Sequence, residues 1–200
     1  MPRAFADITF TAAVKAAQSR HGSREANRRA EQADDANDTL GPFEADFIGA
    51  RDSFYQASVG EGGWPYVQHR GGPAGFLKVL DGRSIGYADF RGNLQYLSVG
   101  NLAGNERISL ILMDYANRRR LKIWGRARVL ERDDEGAAEL LARLEMPAYR
   151  ARVERAVVIE VEAFDWNCPQ HITRRYTQAE VEALLQPLRD ENRRLGAGGG

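Results

Sequence analysis

Cysteine is nearly missing: Cys168 is the only one in the 200 residues. That excludes an intramolecular disulfide framework and any cysteine-rich zinc site. Histidine is almost as scarce. His21, His69 and His171 lie far apart, with no HExxH or other ligand spacing, so no protein metal site is expected. A charge excess is also absent, because 28 Lys and Arg balance 28 Asp and Glu. Nucleic-acid coats and polybasic membrane proteins usually carry a basic excess, so neither kind of partner is expected. Near-zero net charge gives little repulsion between copies and is compatible with self-association. No apolar run approaches the roughly 18–20 residues that span a bilayer. The start MPRAFADITF lacks the basic-then-apolar layout of a secretory signal, and a cytoplasmic protein is expected. Finally, no P-loop, GxGxxG or GxSxG occurs. Nucleotide hydrolysis, a Rossmann cofactor site and serine-hydrolase chemistry thereby lose their usual supports.

What the chain does have is 43% hydrophobic residues, enough for a sizeable core. Residues 1–39 read as a helical extension and linker. The stretch from Gln18 to Asp38 is almost wholly polar and carries no apolar stripe to bind it to a core. Gly41-Pro42 punctuates its end, and a short helix is expected from about Glu44 to Arg51. From Phe54 the apolar period changes to two. Strands are expected at Phe54–Val59, Pro65–His69, Gly75–Leu80, Ser84–Phe90, Arg107–Tyr115, Arg119–Leu130 and Ala156–Phe164. Asp81-Gly82 is a hairpin signal between two of them, and NLAGN at 101–105 reads as a turn or short helix. Short connections favour an antiparallel sheet or barrel over repeated βαβ units. Asp133 is expected to cap a helix carrying Leu140, Leu141 and Leu144, with Pro147 restarting another. Thr177-Gln178-Ala179-Glu180 is a capping-box pattern before a helix that Pro187 should break or kink, and GAGGG closes the chain as a disordered tail. Three parts result: 1–39, a β-rich domain at 40–176, and 177–200.

Four segments carry chemistry that plain strands do not need. In Gln68-His69-Arg70-Gly71-Gly72, a strand ends in long polar side chains and two glycines. Arginine forks onto phosphate oxygens, and glycine permits close backbone approach. A tight loop with a surface arginine is the plain alternative. Asp89-Phe90-Arg91-Gly92-Asn93 offers a cation, a flexible backbone and an amide within three residues, which suits a phosphate; a hairpin turn has the same composition. Between 119 and 130, Leu121, Ile123, Ala127 and Val129 share one face of a strand, and Arg120, Lys122, Trp124, Arg126 and Arg128 share the other. That basic face is a solvated surface, a nucleic-acid contact or a subunit interface. Cys168, Gln170 and His171 follow the last strand, as a loop closing a ligand site or, less simply, as a Cys–His nucleophilic pair.

The order of FYQASV, GWPYVQHRGGPAGFLKVLD, IGYADFRGN, SVGNL…NERISLILMDY, RRRLKIWGRARV and NCPQHI resembles the pyridoxamine 5'-phosphate oxidase-like superfamily of FMN-binding split barrels. It is most similar to the superfamily's flavin-nucleotide-binding proteins, from about Phe54 to Ile172. The resemblance implies a mainly β (α+β) fold, a six-stranded antiparallel split β-barrel with flanking helices. It also implies a homodimer with FMN held between the subunits. Arg70 and Arg91 would take the phosphate with Asn93, Gly92 and Asp89 beside them. Gln68, His69, Gly71 and Gly72 would meet the ring or ribityl chain. Arg120 and Lys122 would reach in from a strand of either the same or the other subunit. The loop from Asn167 through Cys168, Gln170 and His171 would cover the ring. In the true oxidase an Arg-x-x-x-x-Lys-like arrangement and a C-terminal arginine motif occur where this chain has HRGGPAG, FRGNLQ and NCPQHI. The vitamin B6 reaction is therefore not expected.

The implied function is an FMN-dependent oxidoreductase on a small-molecule substrate, with a nicotinamide cofactor as electron donor. Catalytic residues are not identified, because flavin redox chemistry needs no dedicated acid–base group. The alternatives are a non-enzymatic flavin-binding or flavin-sensing module, or a split barrel that takes deazaflavin F420 or haem.

Overall fold

The structure is a computed structural model that describes residues 4–32, 36–166 and 168–197. Four helices come first: α1 (Ala4–Thr9), α2 (Ala12–Arg20), α3 (Arg24–Glu31) and α4 (Pro42–Gly49). Four strands follow, β1 (Ser53–Val59), β2 (Pro65–Gly71), β3 (Leu77–Asp81) and β4 (Ser84–Phe90). Then come α5 (Leu97–Gly104), β5 (Arg107–Asp114), β6 (Arg119–Glu131), α6 (Ala137–Leu144), β7 (Val153–Trp166) and α7 (Gln178–Ala197).

All seven strands form one sheet in the order β2-β1-β5-β6-β7-β4-β3, and every pairing is antiparallel. The expected antiparallel β architecture with flanking helices is present. The six-stranded closed arrangement is not: the sheet has seven strands and stays open, with β2 and β3 as unpaired edges. The Gly72–Phe76 turn separates β2 from β3, so β3 pairs only with β4. The sheet nevertheless curls. Tyr87 on β4 donates its hydroxyl to Gln56 on β1 at 2.6 Å, although three strands lie between them in the sheet. Burial pushes the Tyr87 phenol well above its ordinary value, so it remains a neutral donor. Phe54 stacks on Phe76 at 5.6 Å and meets Tyr87 edge-on at 5.4 Å, filling the concave side with Ile85, Leu110, Leu121, Ile123 and Ile159. A smaller cluster of Ala88, Leu130, Leu141, Leu144 and Ala156 lies under α6.

Local chemistry fixes the joints. Trp166 donates Nε1–H to Glu44 at 2.9 Å and receives the edge of Phe47, which ties α4 to the end of β7. Phe5 of α1 stacks on Trp124 at 6.2 Å, so the N-terminal segment covers the aromatic of the basic face. Arg126 on that face is paired with Glu106 and Glu162. The helix after β6 begins at Gly136, whose φ of +77° makes the turn, while Asp134 accepts from the Glu131 N–H. Asp133 is not the cap. Residues 147–149 form a turn rather than a second helix, and α7 runs continuously through Pro187. Part of the expected linker, 33–35, and the tail residues 198–200 lie outside the described residues.

Gly125 sits at a bulge where β6 shifts register against β7. A Cβ there would stand 2.3 Å from the Glu160 carbonyl oxygen, a backbone atom that cannot rotate away. Gly125→Ala is expected to cost about 1–3 kcal/mol, read from the urea midpoint. The β5–β6 turn rests on Asp114, which accepts from Asn117 and Arg119. Burial alone would raise its carboxyl, but those hydrogen bonds and nearby Arg51 hold it below the ordinary carboxylate value. A depressed folded pKa contributes stability above the unfolded value, and that contribution is lost as pH falls through the folded one. Acid unfolding followed below about pH 4 should therefore be less steep in Asp114→Asn than in the parent.

Candidate functional site

Period-two alternation decides which β2 side chains can meet. Tyr66, Gln68 and Arg70 point to the concave side opposite Ser58, Gln56 and Phe54, while Val67, His69 and Gly71 point outward. On the concave side Arg70 reaches across the curl to Asp89 of β4 at 2.6 Å. The second oxygen of Asp89 accepts from Arg155 at the start of β7, at 3.1 Å. These side chains are 14%, 5% and 10% exposed for Arg70, Asp89 and Arg155. Arg155 also bonds Glu131 at 2.9 Å and lies over the Tyr96 ring at 5.0 Å. Arg70 lies over Tyr87 at 5.6 Å, and its Nε is buried without an acceptor.

The other wall is the segment from Gly92 to Val99. Asn93 accepts from the Gln95 N–H, and Ser98 donates to Gln68 at 2.6 Å. Leu94 and Tyr96 both have left-handed backbones, with φ of +64° and +51°. Two such non-glycine residues beside one cleft are a local strain of the kind that collects at binding sites. Nothing stands within 4 Å of where a Gly92 Cβ would be, so this backbone is open. The enclosed volume is about 40 Å³, lined by Tyr66, Gln68, Arg70, Asp89, Asn93 and Arg155 among others.

Of the residues singled out in the sequence, Gln68, Arg70, Asp89, Gly92 and Asn93 therefore come together. Arg91 stands at the rim, its side chain 43% exposed and its Nε 3.7 Å from Glu154. The others do not join them within one chain. His69 packs edge-on against Tyr55 at 5.5 Å on the convex face. Gly71 and Gly72 do permit a close approach, but to this chain's own His69 and Phe76: a Cβ on Gly72 would lie 2.8 Å from the Phe76 ring. Arg120 and Lys122 also face the convex side, near the end of β7, where Lys122 stands opposite Asp165 in the strand register. Arg120 Nε, like Arg70 Nε and Gln56 Nε2, is a buried donor without a partner. Cys168, Gln170 and His171 follow the end of β7 opposite to the one bearing Arg155, and all three are exposed; Asn167 lies outside the described residues. The sequence reading missed Arg155, Glu154, Tyr96 and Ser98. Starting β7 at Val153 rather than Ala156 would have exposed the pairing of Arg155 with Asp89.

A family model described as pyridoxamine 5'-phosphate oxidase matches residues 42–167. The match covers more than half of the chain, which belongs to this family and so to its FMN-binding superfamily. Among solved structures, a candidate pyridoxamine 5'-phosphate oxidase from Lactobacillus delbrueckii is similar in fold, at 21% identity and a TM-score of 0.50, over 64% of this chain and 94% of its own. The HupZ protein of Group A Streptococcus is 16% identical with a TM-score of 0.49, over 68% and 99%. An FMN-binding protein from Syntrophomonas wolfei is 12% identical with a TM-score of 0.45, over 61% and 81%. No curated protein matches the chain. Among the described residues, no helix is long and apolar enough to cross a membrane, and no group of His, Cys, Asp and Glu could hold a metal ion.

The two arginines depend on the carboxylate between them. Asp89→Ala leaves two nearly buried guanidiniums facing each other and is expected to destabilise by about 3–5 kcal/mol in urea unfolding. Asp114→Ala, which removes an equally buried carboxylate but one whose partner Arg119 is 42% exposed, serves as the comparison and should cost less.

Proposed function

We propose that the chain binds FMN and is an oxidoreductase acting on a small molecule, with two copies of the chain completing each site. One observation carries this reading: donors remain uncommitted in the concave cleft, at Arg70 Nε and at the rim residue Arg91. Three guanidiniums, Arg70, Arg91 and Arg155, meet three carboxylates there, Asp89, Glu131 and Glu154. Arg91 is the cation least committed to a partner, and Asn93 and the open backbone at Gly92 stand next to it. Arg70 Nε still lacks an acceptor. Those donors fit the phosphate of FMN, a dianion that guanidinium and amide groups hold with charge-assisted bonds.

Size supports the second copy. A volume of about 40 Å³ is far below the roughly 300–1,000 Å³ of small-molecule sites, so further walls are required. The convex face of another chain carries suitable groups, Arg120 with its own unpartnered Nε and Lys122. The same face exposes Val67 (61%) and Tyr55 (39%), apolar surface consistent with self-association. When bound, FMN supplies hydride or electron transfer, and a nicotinamide donor is the proposed source of electrons. The chain's part is to hold the phosphate, orient the ring and exclude water. The FRGNLQ and NCPQHI segments favour a substrate other than a vitamin B6 compound.

The direct test is the visible spectrum and mass of the small molecule that co-purifies. Flavin absorption with the mass of FMN is expected; a colourless preparation that takes up no added FMN overturns the reading. Arg91→Ala should weaken FMN binding by about 1.5–3 kcal/mol, roughly 10- to 150-fold in fluorescence titration. Riboflavin, which lacks the phosphate, should lose little affinity in the same variant.

A further inference from the structure

Helix α7 is amphipathic, and among the described residues no element covers its leucine face. Val181, Leu184, Leu185, Leu188 and Leu195 recur at the i, i+3, i+4, i+7 and i+14 spacing of a helix seam. Leu184, Leu188 and Leu195 are 61%, 58% and 70% exposed. The hydrogen bonds of the segment from Thr177 onward stay within it: Thr177 with Glu180, Gln178 with Glu182, and Asp190 with both Gln186 and Arg193. A proline inside a helix, here Pro187, weakens it, and most helices owe their stability to a buried apolar face. An exposed leucine stripe on a helix therefore signals a partner.

The charges identify which one. Glu180 and Glu182 lie near the start of α7, and Arg189, Arg193 and Arg194 near its end, with Asp190 and Glu191 among them and Asp190 paired to Arg193. That layout suits the helix dipole, which does not account for the leucines. It also makes the helix complementary to itself. A second α7 laid antiparallel can set Glu180 against Arg189, whereas a parallel one in register sets each of them against its own copy. Crossing at Leu184 and Leu185 pairs Val181 with Leu188 of the second copy and brings Glu180 beside its Arg189. A two-fold axis through the crossing satisfies both chains with the same patch. We infer that α7 pairs antiparallel with α7 of a second copy of this chain, through the Val181–Leu188 stripe. This interface lies outside residues 42–167 and is independent of the flavin reading and of the convex-face contact.

The test is cysteine cross-linking of the full chain in a Cys168→Ser background, oxidised with copper-phenanthroline. Leu184→Cys should give a disulfide-linked dimer. Val181→Cys and Leu188→Cys should not cross-link singly but should do so when combined. Glu180→Cys with Arg189→Cys leaves every leucine in place and must behave likewise, linking as a double and not as singles. A dimer formed only through the sheet produces no such pattern. Efficient linking by Val181→Cys alone, which indicates a parallel pair, overturns the inference. So does an absence of linking in both double variants.

Discussion

Asp89 holds the site together. The sheet is not closed by backbone hydrogen bonds between its edges, so side chains must fix how far it curls. One carboxylate from β4 binds an arginine from the edge strand β2 with one oxygen and an arginine from β7 with the other. A buried ion pair of this kind is weak evidence for net stability, because desolvation offsets most of the Coulomb attraction. Its consequence here is geometric. The buried Tyr87–Gln56 bond adds a neutral hydrogen bond across the same gap. Together they set the position of Arg70 and Arg155 relative to the Gly92–Val99 segment, which has no strand to hold it.

The same alternation that builds the cleft also divides the polar residues between two sides of the sheet. Gln68 and Arg70 can face the concave side only if His69 and Gly71 do not. Arg120 and Lys122 are fixed to the convex side because Leu121 and Ile123 fill the core. A single chain thus presents two partial sets of donors back to back. A ligand that uses both sets needs two chains, which is the geometry proposed for the flavin.

The architecture was largely legible in the sequence. Each of the seven strands shows a period-two run, and the Asp81-Gly82 turn, the α4 start at Gly41-Pro42 and the α7 cap at Thr177 follow from local chemistry. Within the site, Arg70, Asp89 and Asn93 were visible because long polar residues at strand ends are conspicuous. Arg155 was not, since it begins β7 among other charged residues and its meaning comes only from its partner on β4. Nor could the left-handed backbones at Leu94 and Tyr96 be foreseen, for neither residue favours that conformation. The glycines at 71 and 72 were visible, but what they approach is a neighbouring ring of the same chain.

By itself the sequence determined the antiparallel β class, the faces of each strand and the family, because those depend on periodicity and on the order of local motifs. Tertiary structure alone decided that the sheet stays open with seven strands and that Asp89 joins Arg70 to Arg155. These outcomes depend on how far a twisted sheet curls before side chains from distant strands touch, a distance that no local pattern encodes.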